Sequence, residues 1–179
     1  MIALRMALSH PTRVKGIVAL SSVCRAAPQP VVEAFEKVYK VWVATPTPSD
    51  DIMNLAIQGW GGSLDVNSDR CKIIKRDWRT RYNGSVNVEA IAECLNTRDD
   101  IVEQLKNAKV PVLLIQGEDD RTWTVEEAEI ARDALPNAEL KVIKEAGHML
   151  IFARKADDVN SSIEGFHRQQ GYWIDWSCG

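Results

Sequence analysis

Two short stretches hold the residues best suited to moving a proton. One reads Gly117-Glu118-Asp119-Asp120, the other Glu145-Ala146-Gly147-His148. Each follows a segment that reads as a β-strand. If the two strands are neighbours, a carboxylate and an imidazole leave the sheet on one rim, beyond the C-terminal strand ends where open parallel sheets build their sites. A carboxylate beside a histidine ring fixes its tautomer and stabilises the imidazolium formed when the ring takes a proton. Such a pair is two thirds of the apparatus that activates a hydroxyl or thiol nucleophile. Gly147 would let the chain turn tightly enough to aim His148 back at the sheet. Against this stand two plainer readings, a turn carboxylate and a structural histidine. His10 ends a helix, and His167 lies on the surface of the last one.

Ser21, Ser22 and Cys24 follow a third strand-like run on the same rim. As replacement nucleophiles they fit poorly, because Pro28 and Pro30 stand where a sharp strand-to-helix elbow would be required.

The elements that must position these groups follow from periodicity. Met1, Ile2, Leu4, Ala7 and Leu8 recur at helical spacing with no capping residue before them, and His10-Pro11 stops that helix. Residues 14–21 (VKGIVALS) form a short β-branched run, read as a buried strand of a parallel sheet. From 31 to about 107 the texture is helical throughout, with helices at 31–43, 50–58, 69–82, 88–95 and 99–105. Ser49 or Asp50 caps the second of these, and Gly59 to Gly62 break it. A second buried strand covers 110–116 and a third 139–143. Between them a helix spans 124–135, with Thr124 and Glu127 spaced as a capping box. A final helix covers 156–169. Alternation of this kind predicts an α/β fold: a partial parallel sheet of about three strands, flanking helices and an inserted helical subdomain.

Composition excludes several functions. With 22 basic and 25 acidic residues, a net charge of -3 and no basic block, the chain lacks the cationic face that nucleic acid needs. No stretch approaches the roughly 20 apolar residues that span a bilayer, and the apolar start lacks a signal-peptide cleavage region. Cys24, Cys71, Cys94 and Cys178 are widely spaced, form no CxxC pair and argue against zinc. They read as free thiols of a reducing compartment, the cytoplasm.

VPVLLIQGEDD followed by ALPNAELKVIKEAGHMLIF resembles the last two strands and loops of the α/β-hydrolases. MIALRMALSHPTRVKGIVALSS is similar to the helix after that family's nucleophile and the strand beyond it, and the helical insert sits where the family keeps its lid. The resemblance covers the chain to about Gln170. It implies Asp120, three residues past Gly117, as the triad acid and His148 as the base. Asp119 then points away and Glu118 is solvated. It also implies a nucleophile in a G-x-S-x-G elbow just before the first helix. The sequence contains no such motif; Gly59-Trp60-Gly61-Gly62-Ser63 and Gly84-Ser85 do not fit it.

The expectation is therefore a truncated hydrolase whose parent acts on an ester, lactone or similar small apolar substrate, catalytically incomplete as it stands. The alternative is a non-catalytic hydrolase-like module that binds a ligand or partner. Residues 1–29 and 108–170 would form the core, 30–107 the lid and 171–179 a tail. Phe35, Trp42, Trp60 and Trp78 would line an apolar pocket or simply pack, and Trp123 would wall the pocket or pack on the next helix. No metal or organic cofactor is implied. The first strand would be an unpaired edge, open to self-association or to a complementing chain.

Overall fold

The computed structural model describes residues 1–22, 24–60, 64–82, 86–151 and 155–171, so most of the expected tail lies outside the described residues. Three strands form one parallel sheet in the order β1-β2-β3: β1 (Ile17–Leu20), β2 (Val112–Gly117) and β3 (Ala138–Ile143). Ile17 is in register with Val112, and Val112 with Ala138. Eight helices are described: α1 (Ile2–Ser9), α2 (Gln29–Val43), α3 (Asp50–Trp60), α4 (Asp69–Arg81), α5 (Val86–Asn96), α6 (Val102–Leu105), α7 (Val125–Ala134) and α8 (Ala156–Gln169). The expected α/β architecture and element order are present.

Strand β2 is buried along its whole length, as the apolar run Val112 to Ile115 requires of a strand covered on both faces. Its side chains alternate across the sheet. Val112 and Leu114 face Leu4 and Ala7 of α1, Leu105 of α6, and Ala131 and Ala134 of α7. Leu113 and Ile115 face Val159 and Phe166 of α8. Helices α2 to α5 have their own apolar cluster, centred on Trp42, Met53, Ala56 and Val88.

Several boundaries move for identifiable reasons. The first strand is shorter than its apolar run, 17–20 rather than 14–21: Val14 N–H is held in a turn by His10 O, and Ser21 has a left-handed backbone, φ 42°. Gly59 does not end α3, which continues to Trp60. Glycine costs a helix only about 1 kcal/mol, and burial of Ala56 and Ile57 in the same helix offsets it. Ser49 is the cap of α3, its hydroxyl accepting from Ile52 N at 3.4 Å. The capping box of α7 does not form. Thr124 stands at the cap without a side-chain cap bond. Glu127 instead pairs with Arg25 at 3.2 Å. An ion pair between segments 102 residues apart has taken the side chain that local spacing assigned to the cap.

Among the described residues, β1 pairs with a strand on one side alone. Its Ile17 and Ser21 N–H groups point to β2, so those of Val18 and Leu20 point outward. Val18, Ala19 and Leu20 are half-buried apolar side chains on that edge. Exposed apolar edges template association. The purified 179-residue chain is expected to gain apparent mass with concentration on size exclusion; a concentration-independent monomer that melts cooperatively well above ambient temperature would count against this.

Candidate active site

The β2–α7 and β3–α8 loops meet at a point where no side chain fits. A Cβ built on Gly117 would lie 2.3 Å from the Ala146 carbonyl oxygen and 2.5 Å from that of Gly147. Real Cβ atoms do not approach so closely, so glycine is dictated by packing between the loops. Backbone bonds fasten the contact: Glu118 N–H donates to Ile143 O and Asp119 N–H to Ala146 O, both at 2.9 Å. Sequence reasoning placed the flexible glycine of the return turn at 147. The left-handed residue is Glu145 instead, φ 54°. Its N–H donates to the Glu118 carboxylate at 3.2 Å, and its own carboxylate accepts from Lys155 at 3.1 Å. These contacts offset a conformation that costs a non-glycine residue about 1 kcal/mol or more.

The junction places His148 Nδ1 2.9 Å from Asp120 Oδ2. The Asp120 side chain is fully buried, whereas His148 is 28% exposed, so the ring presents an edge outward. An ionised carboxylate only accepts, so Nδ1 carries the shared hydrogen and Nε2 is left as the accepting nitrogen. Asp119 and Glu118 are exposed. Glu118 is therefore solvated as expected, although it also holds Glu145. His10 is exposed, and the half-buried His167 lies on α8 against Phe166.

Four donors surround the Asp120 carboxylate. Oδ1 accepts from the backbone N–H groups of Thr122 at 2.8 Å and Trp123 at 2.9 Å. Oδ2 accepts from His148 and from the Gln116 side-chain amide at 2.7 Å. Burial pushes the carboxyl up, but the hydrogen bond and charge of His148, with the Trp123 and Thr122 N–H groups, outweigh it and hold Asp120 below its ordinary value. Gln116 was not singled out from the sequence. A signal was there: it is a polar side chain inside a run that reads as wholly buried, and such a group needs partners.

The candidate replacement nucleophiles are poorly equipped. Burial, with Asp100 and Glu127 nearby, pushes the Cys24 thiol up to about 11, which keeps it neutral at pH 7. Ser22 Oγ accepts from the Met1 amino group at 3.2 Å. Ser21 Oγ is buried without a hydrogen-bond partner among the described residues. No group of three or more His, Cys, Asp or Glu side chains among the described residues could hold a metal ion.

Phe35, Trp42, Trp60 and Trp78 do more than pack: with Tyr39, Tyr82 and three aliphatic residues they line a cavity of about 180 Å³ within the helical insert. Phe35 stacks on Trp60 at 6.1 Å, and Trp60 meets Trp78 edge-on at 6.1 Å. Neither Asp120 nor His148 lines it. The link is Trp60, whose carbonyl accepts from Met149 N–H, next to His148, at 3.1 Å. Trp123 is not part of this wall. It is buried with Leu95, Ala27, Val31 and Phe35, and the Arg98 guanidinium lies 5.3 Å from its ring centre. A second cavity, near Pro111, Pro136 and Phe166, lies at the opposite ends of the strands.

A parallel sheet wrapped by helices, with a buried aspartate and a partly exposed histidine on loops beyond its C-terminal edge, defines an α/β-hydrolase framework. The chain belongs to the α/β-hydrolase family whose model is described as serine aminopeptidase, S33, and which matches residues 1–155. Among curated proteins no relative matches. Solved structures of the same fold include MGS-M2, an α/β-hydrolase enzyme from a Medee basin deep-sea metagenome library, with TM-score 0.74 and 20% identity over 98% of this chain. A thermophilic esterase from Thermogutta terrifontis superposes with TM-score 0.75 at 20% identity over 94% of the chain. Est816, described as an N-acyl homoserine lactone degrading enzyme, does so with TM-score 0.68 at 24% identity over 93%. The chain spans 61 to 63% of the length of these three structures. No helix among the described residues is long and apolar enough to cross a membrane.

Two outcomes test this geometry. Gly117→Ala should destabilise the chain by about 1–3 kcal/mol or more, the cost of forced overpacking, seen as a lower urea midpoint. Asp120, with its folded value depressed, contributes stability that is complete above its ordinary value near 4 and is lost as pH falls through the lower folded value. Thermal melts from about pH 6 to pH 2.5 should show the wild type losing more stability than Asp120→Asn; equal losses would remove Asp120 as the source.

Proposed function

We propose that Asp120 and His148 are the acid and base of a serine-hydrolase-type triad, and that the parent enzyme cleaves an ester, lactone or similar small apolar substrate. The observation that carries this is the 2.9 Å bond between a fully buried carboxylate and a ring that presents its other nitrogen outward. Esterase and lactone-degrading neighbours of the same fold support the substrate class. Residues 1–29 and 108–170 act as the core, 30–107 as a lid and 171–179 as a tail, a division supported by the separate apolar cluster of the insert.

In this mechanism His148 Nε2 takes the proton of the attacking hydroxyl while Asp120 holds the ring and stabilises the imidazolium. The nucleophile and one oxyanion-hole donor belong to a G-x-S-x-G elbow, a motif this sequence does not contain, and the second donor belongs to a still earlier strand loop. Losing a single such donor costs about 10²–10³ in rate, so the chain by itself is catalytically incomplete. Buried, unpaired Cys24 and Cys71 support a reducing, cytoplasmic setting.

The aromatic cavity favours one alternative, a hydrolase-like module that binds a small apolar molecule without turning it over. A fluorophosphonate probe separates the two. The 179-residue chain should not label. When joined to a segment bearing G-x-S-x-G ahead of Met1 it should label and hydrolyse a short-chain ester, and Asp120→Asn should lower kcat by a factor on the order of 10⁴. Labelling of the chain alone would overturn the assignment, and a joined chain that folds but neither labels nor turns over would favour the binding module.

A further inference from the structure

Gln116 is a polar side chain at the inner end of an otherwise apolar strand, and it is 1% exposed. Its amide nitrogen has two hydrogens, and both are used: one goes to Asp120 Oδ2 at 2.7 Å, the other to the Trp123 carbonyl at 2.6 Å. The amide can stand only one way round. Turned over, its oxygen would face a carboxylate and a carbonyl, two acceptors with no hydrogen between them.

Two of the other three anchors of Asp120 are local. The N–H groups of Thr122 and Trp123 belong to the same loop as the carboxylate, so they fix it within the loop but not relative to the sheet. His148 is carried by the chain that leaves β3, and β3 is bound to β2 with Gln116 opposite Val142. Gln116 therefore ties the loop holding the acid to the frame that carries the base, at both ends of the 120–123 turn.

We infer that Gln116 is a positioning residue, whose amide fixes the Asp120 carboxylate to the sheet so that Oδ2 faces His148 Nδ1 and selects the tautomer that leaves Nε2 free to accept a proton. This deepens the triad reading and rests on it. The residue touches no reacting atom; it acts through Asp120.

The tautomer can be read in the 179-residue chain without turnover. The chain has three histidines, so selective ¹⁵N-histidine labelling and long-range ¹H–¹⁵N correlation give three ring patterns, with His148→Gln identifying the one of interest. In the wild type, neutral His148 should carry its hydrogen on Nδ1. Gln116→Met keeps the length and apolar volume of the side chain but donates nothing. It should lose the Nδ1–H pattern and shift toward Nε2–H, the form an unanchored imidazole prefers. Gln116→Glu is the companion variant. Two buried carboxyls this close share a proton, so the introduced carboxyl still donates to Asp120 and this variant should retain the Nδ1–H pattern. A role limited to filling space predicts the reverse order, with Met tolerated and Glu disruptive. Retention of the Nδ1–H pattern in folded Gln116→Met overturns the positioning role while leaving the triad pair intact. A wild-type His148 without Nδ1–H would overturn the pair itself.

Discussion

The whole site depends on two carbonyl oxygens lying closer to Gly117 than any side chain would allow. Because nothing projects from residue 117, the loop after β3 settles directly onto the end of β2. The amides of Glu118 and Asp119 then reach Ile143 and Ala146. That contact fixes the spacing of two loops that are far apart in sequence, and the distance between Asp120 and His148 follows from it. The conformational demand of the return turn is met one step away, at Glu145, where ionic and hydrogen-bonding partners hold a non-glycine residue in a left-handed backbone.

A buried carboxylate is costly unless its lone pairs are filled. Asp120 fills them from three directions: its own loop, the strand before it, and the imidazole across the junction. The result is a buried carboxylate held below its ordinary value and an imidazole on its rim that is partly exposed. Burial alone would have favoured the neutral carboxyl; the number and charge of the donors reverse the sign. The same requirement explains why Gln116 interrupts an otherwise apolar strand, since a side chain with two donors satisfies two buried acceptors, Asp120 Oδ2 and the Trp123 carbonyl, at once.

The helical insert is built on different terms. Its cohesion comes from apolar and aromatic packing, with Trp42 also donating its indole N–H to Tyr82 O at 2.9 Å. The aromatic side chains leave a cavity between them rather than closing on one another. One backbone bond, from Met149 to Trp60, joins the end of α3 to the residue after His148. Through it the position of the insert and that of His148 are mechanically related.

The sequence by itself determined the element types and their order. Apolar runs such as VPVLLIQ can be satisfied only as buried strands, and 3.6-residue periodicity over α2 to α8 leaves no other pattern for a folded chain. It also determined which residues could be acid and base, because few carboxylates and histidines follow strands on one rim. Tertiary structure decided the rest. Asp120 faces inward and Asp119 outward because the loop packs on Ala146, a contact no local window contains. Glu127 serves Arg25 instead of its own helix cap because an ion pair formed across 102 residues displaced a local bond. Gly59 continues a helix that its type would end, because packing outweighs a propensity of about 1 kcal/mol. Gln116 acquires its role from partners four and seven residues away that are aligned only once the loop has closed. In each case local preferences are small, near 1 kcal/mol, and contacts between segments distant in sequence are enough to override them.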